Sequence, residues 1–476
     1  MKTSSTKNFN IFLQHTKTTI KNTTMKISPI QPFDKVITVP KDKSITHRAF
    51  ILAAKGKGTT TIYSPLLCED TLATINALQT LGISIQSTNQ VYKVQGTPQL
   101  SNFRSTQSTL FTNSQDNATH PNNSIPQPPP SLITINAQNS ATTARLLLGL
   151  LASTKDCQVQ IIGDHSLSSR PMQRVITPLS QMGADITSHN GKLPVSIRGK
   201  SLQSIAYDLP LASAQIKSAI LLAGLSANGT TTITGKIESR NHTEILLQSM
   251  QAKIKVDQSN HCIQISPSEL YPINIQIPGD TSSAAYFLVL ASILPHSQIT
   301  IQQVGINPTR TGIFQVLDKC GVDYLLQNIV SDTEPIADIT ARYSSNLQPF
   351  EIDTPLIPYL IDEIPILCVL ACFCCGQSVI QNASELRYKE SDRITTIVTA
   401  LKTMGADITE SADTILINGT GSLLGGGVVQ TNNDHRIAMS LTIAALASQQ
   451  TTIINNTQCI NTSYPTFFDQ IRELTQ

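Results

Sequence analysis

Eight cations stand at or beside the starts of helix-like runs: Lys43, Arg48, Arg145, Arg170, Arg174, Arg240, Arg393 and Arg436. A helix N-terminus already carries partial positive charge, so it is the wrong end for a cation unless something anionic offsets it. Carboxylates at Asp164, Glu244, Asp362, Glu363, Glu390, Asp392 and Asp434 can do so in part. The remainder suits small substrates bearing phosphate and carboxylate, which arginine grips through paired, charge-assisted hydrogen bonds.

The elements that would position these side chains recur along the chain. Clusters at Lys43-Ser44-Ile45-Thr46-His47-Arg48, Asn139 to Arg145, Ser213 to Lys217, Gly279 to Ser283, Ile361-Asp362-Glu363 and Asn433 to Arg436 each precede an apolar helix-like run. A β-branched strand follows each run, as in Gly58-Thr59-Thr60-Thr61-Ile62 and Gly229-Thr230-Thr231-Thr232-Ile233, giving a repeat of about 70 residues. A second helix closes near 77–83, 178–186, 246–254, 316–322 and 400–408. Gly82, Gly183, Gly321 and Gly405 supply left-handed stops there, and Gln251-Ala252 takes that place in the third copy. Six α/β units are too many for one core and predict two domains of three units each. If the helices of each half run roughly parallel, their N-termini converge and make an anion site. One cluster alone reads equally well as a plain N-cap; six in register, most of them charged, point to a site.

Composition narrows the function. Charged residues are 14% of the chain and the net charge is +2, which leaves no basic stripe for nucleic acid. No apolar run reaches transmembrane length without interruption. The nine cysteines, odd in number and without paired CxxC motifs, are expected to be reduced thiols of a cytoplasmic protein. Cys368, Cys372 and Cys375 share a predicted helical face, but no His accompanies them; packed core thiols are expected, and neither metal nor cofactor is implied. Residues 1–25, rich in Thr, Lys and Asn, are expected to be a disordered tail or an overlong start; a transit peptide to a plastid would carry Arg, which this stretch lacks. Residues 101–130, with Pro126-Gln127-Pro128-Pro129-Pro130, read as a flexible surface insertion in the first repeat.

Nine segments carry a resemblance: Asp42 to Ala49, Arg170-Pro171-Met172, Ala212 to Ser218, Ser239-Arg240-Asn241-His242-Thr243-Glu244, Pro278 to Ala284, Asn307-Pro308-Thr309-Arg310, Ile361-Asp362-Glu363, Glu385 to Arg393 and Asp434 to Met439. In type and order they resemble the 5-enolpyruvylshikimate-3-phosphate synthase family. The resemblance implies transfer of the enolpyruvyl group of phosphoenolpyruvate to the 5-hydroxyl of shikimate 3-phosphate with release of phosphate, a shikimate-pathway step toward chorismate and the aromatic amino acids. It implies an α/β fold of two inside-out, barrel-like domains built from six βαβαββ repeats. The chain would cross twice between them, with 26–39 and 276–476 in one domain and 40–275 in the other. A monomer is expected, with small-molecule substrates as partners and neither nucleic acid nor membrane.

Carried over by position, Lys43, Ser44, Arg48, Ser213, Ala214, Gln215, Arg240, Asp362 and Lys389 would hold shikimate 3-phosphate. Lys43, Ala141, Arg170, Gln215, Arg393 and Arg436 would hold phosphoenolpyruvate. The resemblance makes Asp362 the base for the hydroxyl, and Glu390 with Lys43 the proton donors to C3 of the enol. His435 is expected to support the Asp434-His435-Arg436 turn, and His47 to pack. Two lobes presenting cationic helix starts are expected to repel until anionic substrates bridge them.

The chain departs from the family pattern at Lys41, Gln138 and Ala141, each standing where Gly is usual. A Lys that some members carry near the C-terminus is missing from Asn461-Thr462-Ser463-Tyr464-Pro465, which resembles a second, glyphosate-tolerant-like branch. Three other readings compete. The related UDP-N-acetylglucosamine enolpyruvyl transferase uses a loop Cys as proton donor, and the matching stretch Gly163 to Arg170 contains none. RNA 3'-phosphate cyclisation, on a related repeat, needs a basic groove. A silent anion-binding scaffold would have lost Asp362, Glu390 or Lys43, and all three are present.

Overall fold

The computed structural model describes residues 23–98, 132–155, 157–331 and 333–475. The tail as far as residue 22 and the insertion expected at 101–130 lie outside these described residues. The end of the expected tail is ordered: Met25 opens the strand Met25–Ile27, and Thr24 donates to Asn455 Oδ1 at 2.8 Å.

Six apolar helices begin where the polar clusters end: Lys43–Lys55, Ala141–Ala152, Ala214–Gly224, Thr281–Ile293, Ile364–Phe373 and His435–Ala447. Five are capped by a side chain that accepts from the first turn, at Asp42, Ser140, Ser213, Asp280 and Asp434. The fifth in order starts after Glu363 without such a bond; Pro365 in its first turn has no N–H to satisfy. Every residue of Thr281–Ile293 is buried, so this helix lies inside its sheets, not outside them. The second helices stop as expected, with φ of 82° at Gly82, 91° at Gly183, 73° at Gly321, 89° at Gly405 and 63° at Gln251.

Five sheets share one topology, a parallel pair followed by an antiparallel hairpin. In one, Ile133–Asn136 lies parallel to Gln158–Ile162, which pairs with Lys192–Arg198 and through it with Asp185–His189. The sixth sheet has three strands: Val428–Gln430 and Thr452–Asn455 are parallel, and Met25–Ile27 joins them antiparallel from the other end of the chain. Two strands are exchanged. Asp34–Thr38 pairs parallel with Gln298–Gly305, while Asn274–Gln276 pairs parallel with Thr59–Tyr63. The buried apolar side chains accordingly form two clusters, one from Ile27 to Val39 and Ala284 to Leu474, the other from Ile45 to Ile277.

Two local departures matter for the site. Gly149 lets the Ala141 and Ala214 helices approach closely: a Cβ there would lie 2.4 Å from the Ala219 carbonyl oxygen. Gln138 sits at φ 55°, a left-handed conformation that Gly adopts without cost, whereas Lys41 forms an antiparallel bridge to Gly279. The expected helical Cys triplet is broken, because the helix ends at Phe373 and Cys375 begins the strand Cys375–Ile380, exposed. Gly376, the second residue of that strand, sits at φ 125°, where a helix could not continue. Among the described residues no helix is long and apolar enough to cross a membrane.

Candidate active site

Four cations surround one carboxylate. Asp362 lies in the turn before the Ile364 helix; its Oδ1 accepts from Arg393 Nη1 at 3.1 Å and faces Lys389 Nζ at 3.8 Å. Its Oδ2 lies 3.5 Å from Arg436 Nη2 and pairs with Arg240. Burial works against its charge, but Arg436, Arg240, Lys389 and Arg393 outweigh it and hold the carboxyl well below the usual range. Lys389 moves down instead, because burial and the neighbouring Arg393 disfavour its ammonium more than Asp362 supports it.

Glu390 is the second carboxylate. Arg393 Nη2 donates to it at 2.5 Å, and Arg170 Nη1 lies 3.5 Å from its other oxygen. Against the penalty of burial, Arg393 and Arg170 hold it well below the usual range, with help from His435 and Lys43. Arg170 caps the short helix His165–Ser169 and also donates to Asn139 Oδ1 at 2.8 Å and Ser166 Oγ at 3.2 Å. Arg393 opens the helix Arg393–Thr403 and anchors its Nε on Asp434 at 2.7 Å.

The first half of the chain supplies the facing wall. Lys43, first residue of its helix, donates to Asp70 Oδ2 at 2.8 Å. Burial disfavours its charge, yet Asp70 and Cys68 raise it above the ordinary lysine value, so Lys43 remains an ammonium. Ser44 Oγ accepts from Arg240 Nη1 at 3.1 Å. Arg48 is turned inward and bonded within the protein, to Thr243 at 2.8 Å, Ser218 at 3.1 Å and the Ser44 carbonyl at 3.0 Å. Burial and Arg240 bring it down to about 10. Ser213 caps the Ala214 helix, and Ala214 supplies one of its free first-turn N–H groups. Gln215 is fixed from both sides: Arg145 donates to its Oε1, and its Nε2 donates to Thr142 Oγ1 at 2.9 Å. Ala141 is the first residue of the adjoining helix.

The halves are therefore complementary, not repulsive. Arg240 meets Asp362, Arg170 meets Glu390, and Arg174 meets Glu385 at 2.9 Å, so carboxylates of the second half already answer cations of the first. The expectation of repulsion did not foresee this, because spacing along the chain showed the carboxylates but not which cation of the other half each one meets. It also missed Asp70, in the first turn of the outer helix Glu69–Thr80, and the gathering role of Arg310. Buried Arg310 lies 3.1 Å from Asp280, 3.7 Å from Glu363 and 3.8 Å from Asp42, tying together three helix starts beneath the site. His47 is buried and bonded to Thr74 at 2.6 Å, a packing position.

Comparison with known proteins agrees with this geometry. The family described as EPSP synthase (3-phosphoshikimate 1-carboxyvinyltransferase) matches residues 27–115 and 101–471. A 3-phosphoshikimate 1-carboxyvinyltransferase of Thermoanaerobacter sp. is 43% identical over 91% of this chain and 96% of its own length. One from Synechocystis sp. is 43% identical over 92% and 93%. A solved structure of EPSP synthase from Acinetobacter baumannii superposes with a TM-score of 0.79 at 37% identity, covering 95% of this chain and 98% of that one. With family, relatives and fold in agreement, the chain belongs to the EPSP synthase (3-phosphoshikimate 1-carboxyvinyltransferase) family.

Proposed function

We propose that the cations and carboxylates gathered between the two clusters transfer the enolpyruvyl group of phosphoenolpyruvate to the 5-hydroxyl of shikimate 3-phosphate, releasing phosphate. The observation that carries this reading is a pair of carboxylates, buried Asp362 and half-buried Glu390, bridged by Arg393 and each facing further cations that two anionic substrates can claim. Arg240 and Lys389, with Lys43, Ser44, Ser213, Ala214 and Gln215, take shikimate 3-phosphate. Arg170, Arg393 and Arg436, with Lys43, Gln215 and Ala141, take phosphoenolpyruvate. Arg48, bonded to the Ser44 carbonyl, Ser218 and Thr243, holds the Ser44 turn in place and keeps two N–H donors for shikimate 3-phosphate.

Proton movement follows from competition for the cations. Glu390 can donate to C3 of the enol only if it is first protonated, and Arg393 and Arg170 oppose that. When the phosphate and carboxylate of phosphoenolpyruvate engage those guanidiniums, their hold on Glu390 weakens and its proton affinity rises. Asp362 gains basicity in the same way as substrate anions take up Arg240, Lys389 and Arg436, and it then accepts the proton of the 5-hydroxyl as oxygen attacks C2. The resulting tetrahedral adduct carries a methyl at C3; as its C2–O bond to phosphate breaks, Glu390, left ionised by its first transfer, takes a proton back from that methyl and the C2–C3 double bond re-forms. Lys43, kept charged by Asp70, is the second candidate donor to C3 and stabilises the departing phosphate. The site as assigned is complete within one copy of the chain, and a monomer is proposed. Cysteines that are all free among the described residues support the cytoplasm. The two buried clusters support domains of 26–39 with 276–476 and of 40–275.

The test is phosphate release from phosphoenolpyruvate with either shikimate 3-phosphate or UDP-N-acetylglucosamine as acceptor. Release with the first alone is expected, and release with the sugar nucleotide alone would overturn the reading.

A further inference from the structure

The residues that carry Lys389 and Glu390 are gripped from two sides. They follow the single-turn helix Ser384–Tyr388 and precede the helix that starts at Arg393. On one side Arg387 binds them to their own half, reaching Asp392 at 2.7 Å, Asp413 at 3.0 Å and Glu410 at 3.1 Å. On the other side the turn reaches across the site. Glu385 accepts twice from Arg174 Nη1, at 2.9 and 3.2 Å, and the Arg174 guanidinium lies 5.7 Å from the centre of the Tyr388 ring. Arg174 sits in the first turn of the helix Gln173–Gln181, where the helix field disfavours a cation, so its charge is offset from the opposite half.

This contact runs beside a second one. Arg170 and Arg174 are four residues apart and meet Glu390 and Glu385, which are five apart, so the stretch from Arg170 to Arg174 clasps the stretch from Glu385 to Glu390 at both ends. The stretch is itself fixed, since Arg145 donates to the Pro171 carbonyl at 2.9 Å and the Met172 amide donates to the Gly191 carbonyl at 2.7 Å. Arg170 and Glu390 are taken up by the reaction as substrate enters. Arg174, Glu385 and Tyr388 are not, and can hold the segment in place while Arg170 changes partners.

We propose that Arg174, Glu385 and Tyr388 form a clasp across the site that positions Lys389 and Glu390 for turnover, with Arg174 as a positioning residue. The proposal rests on the roles assigned above to Lys389 and Glu390. Arg174 and Glu385 are partly exposed, at 32% and 40% of their side chains, so variants are expected to fold. Their pairing is also open to screening by salt.

The experiment measures kcat, both Michaelis constants, shikimate 3-phosphate binding and thermal melting. Arg174→Gln and Glu385→Gln should each lower kcat about fivefold to tenfold, the scale of one partly exposed ion pair plus a cation–π contact. Melting should not change, and shikimate 3-phosphate binding, which Lys389 shares with several other residues, should weaken by less than kcat falls. Added salt should lower kcat in the unaltered enzyme more than in Arg174→Gln. The reversed pair, Arg174→Glu with Glu385→Arg, should turn over faster than either reversed single variant. Lys57→Gln, which removes a surface ion pair with Glu269, should leave kcat unchanged. A kcat for Arg174→Gln equal to that of the unaltered enzyme overturns the proposal, as does a reversed pair no better than its worse member. Weaker shikimate 3-phosphate binding and earlier melting at unchanged kcat would assign Arg174 a purely structural role and overturn it too. The unaltered enzyme is run alongside: if it releases no phosphate the substrate reading falls with the clasp, whereas an active enzyme indifferent to Arg174 overturns the clasp alone.

Discussion

Arg240 and Asp362, 122 residues apart in sequence, form an ion pair across the boundary between the two buried clusters. The pair puts the proposed base for the 5-hydroxyl in direct contact with a cation proposed to bind the same substrate. Substrate binding and base strength are thereby linked through one contact.

Asp362→Asn and Glu390→Gln are expected to lower turnover by at least about a hundredfold, the usual scale for a positioned acid or base. Calorimetric binding of shikimate 3-phosphate should survive better than turnover in both. Turnover near that of the unaltered enzyme in either variant removes the role assigned to that residue.

Arg393→Ala should do more than raise the Michaelis constant for phosphoenolpyruvate. Its side chain is 1% exposed and bonds Asp434, Asp362 and Glu390, so removal leaves three carboxylates without their shared cation. Breaking such a buried pair costs roughly 3–5 kcal/mol. Arg170→Ala, whose other partners are the neutral Asn139 and Ser166, should weaken phosphoenolpyruvate binding with a much smaller loss of stability. Equal melting temperatures for the two variants would contradict this ranking.

Acid should destabilise the protein through Asp362 and Glu390. Both carboxyls lie well below their ordinary values in the folded protein, so the unfolded chain takes up protons first as pH falls. Their stabilising contribution is complete above the ordinary carboxylate range, near pH 4, and is lost as pH drops through the lower folded values. Asp362→Asn should therefore melt earlier than the unaltered protein at pH 7, with the gap narrowing toward about pH 3. A gap independent of pH would show that the charge of Asp362 is not what stabilises.

Gln138→Gly should stabilise the fold by up to about 1 kcal/mol. The left-handed backbone at φ 55° strains a residue with a Cβ, and the gain is partly offset by the greater freedom of Gly in the unfolded chain. Chemical denaturation is the measurement, and a lower midpoint for the Gly variant would refute the assignment of strain.

Ala141→Gly should sensitise the enzyme to glyphosate with little change in phosphoenolpyruvate affinity. Ala141 is the first residue of its helix, next in sequence to Thr142, whose hydroxyl fixes Gln215; glyphosate inhibition tests whether its methyl borders the proposed phosphoenolpyruvate site. Crowding a rigid site by one methyl costs about 1–3 kcal/mol for the longer inhibitor. Superimposable inhibition curves at matched phosphoenolpyruvate would clear Ala141 of this role.

Much of this was legible in the sequence because it is local. Asp42, Ser140, Ser213, Asp280 and Asp434 announce five helix starts through side-chain caps that depend only on neighbours. The glycine stops at Gly82, Gly183, Gly321 and Gly405 are local in the same sense. What stayed hidden depends on contacts across long separations. Nothing near Glu385 in sequence indicates Arg174, 211 residues away, and nothing near Lys43 indicates that Asp70 holds its charge. Arg48 looked like its neighbours Lys43 and Ser44, but one further turn of helix points it into the contact with Ser218 and Thr243.

The exchanged strands also bear on how the chain is made. Asp34 and Gln298 are side by side in one sheet although 264 residues separate them. At a ribosomal rate of about 5–20 residues per second, the early strand waits on the order of 10–50 s for its partner to be synthesised. The first half meanwhile lacks Asn274–Gln276 at one sheet edge until nearly all of it has emerged. Assembly is thus scheduled late: an open edge near the N-terminus is exposed to chaperones, or to mispairing with another nascent chain, until well past the midpoint of synthesis, when the strands Asn274–Gln276 and Gln298–Gly305 have appeared.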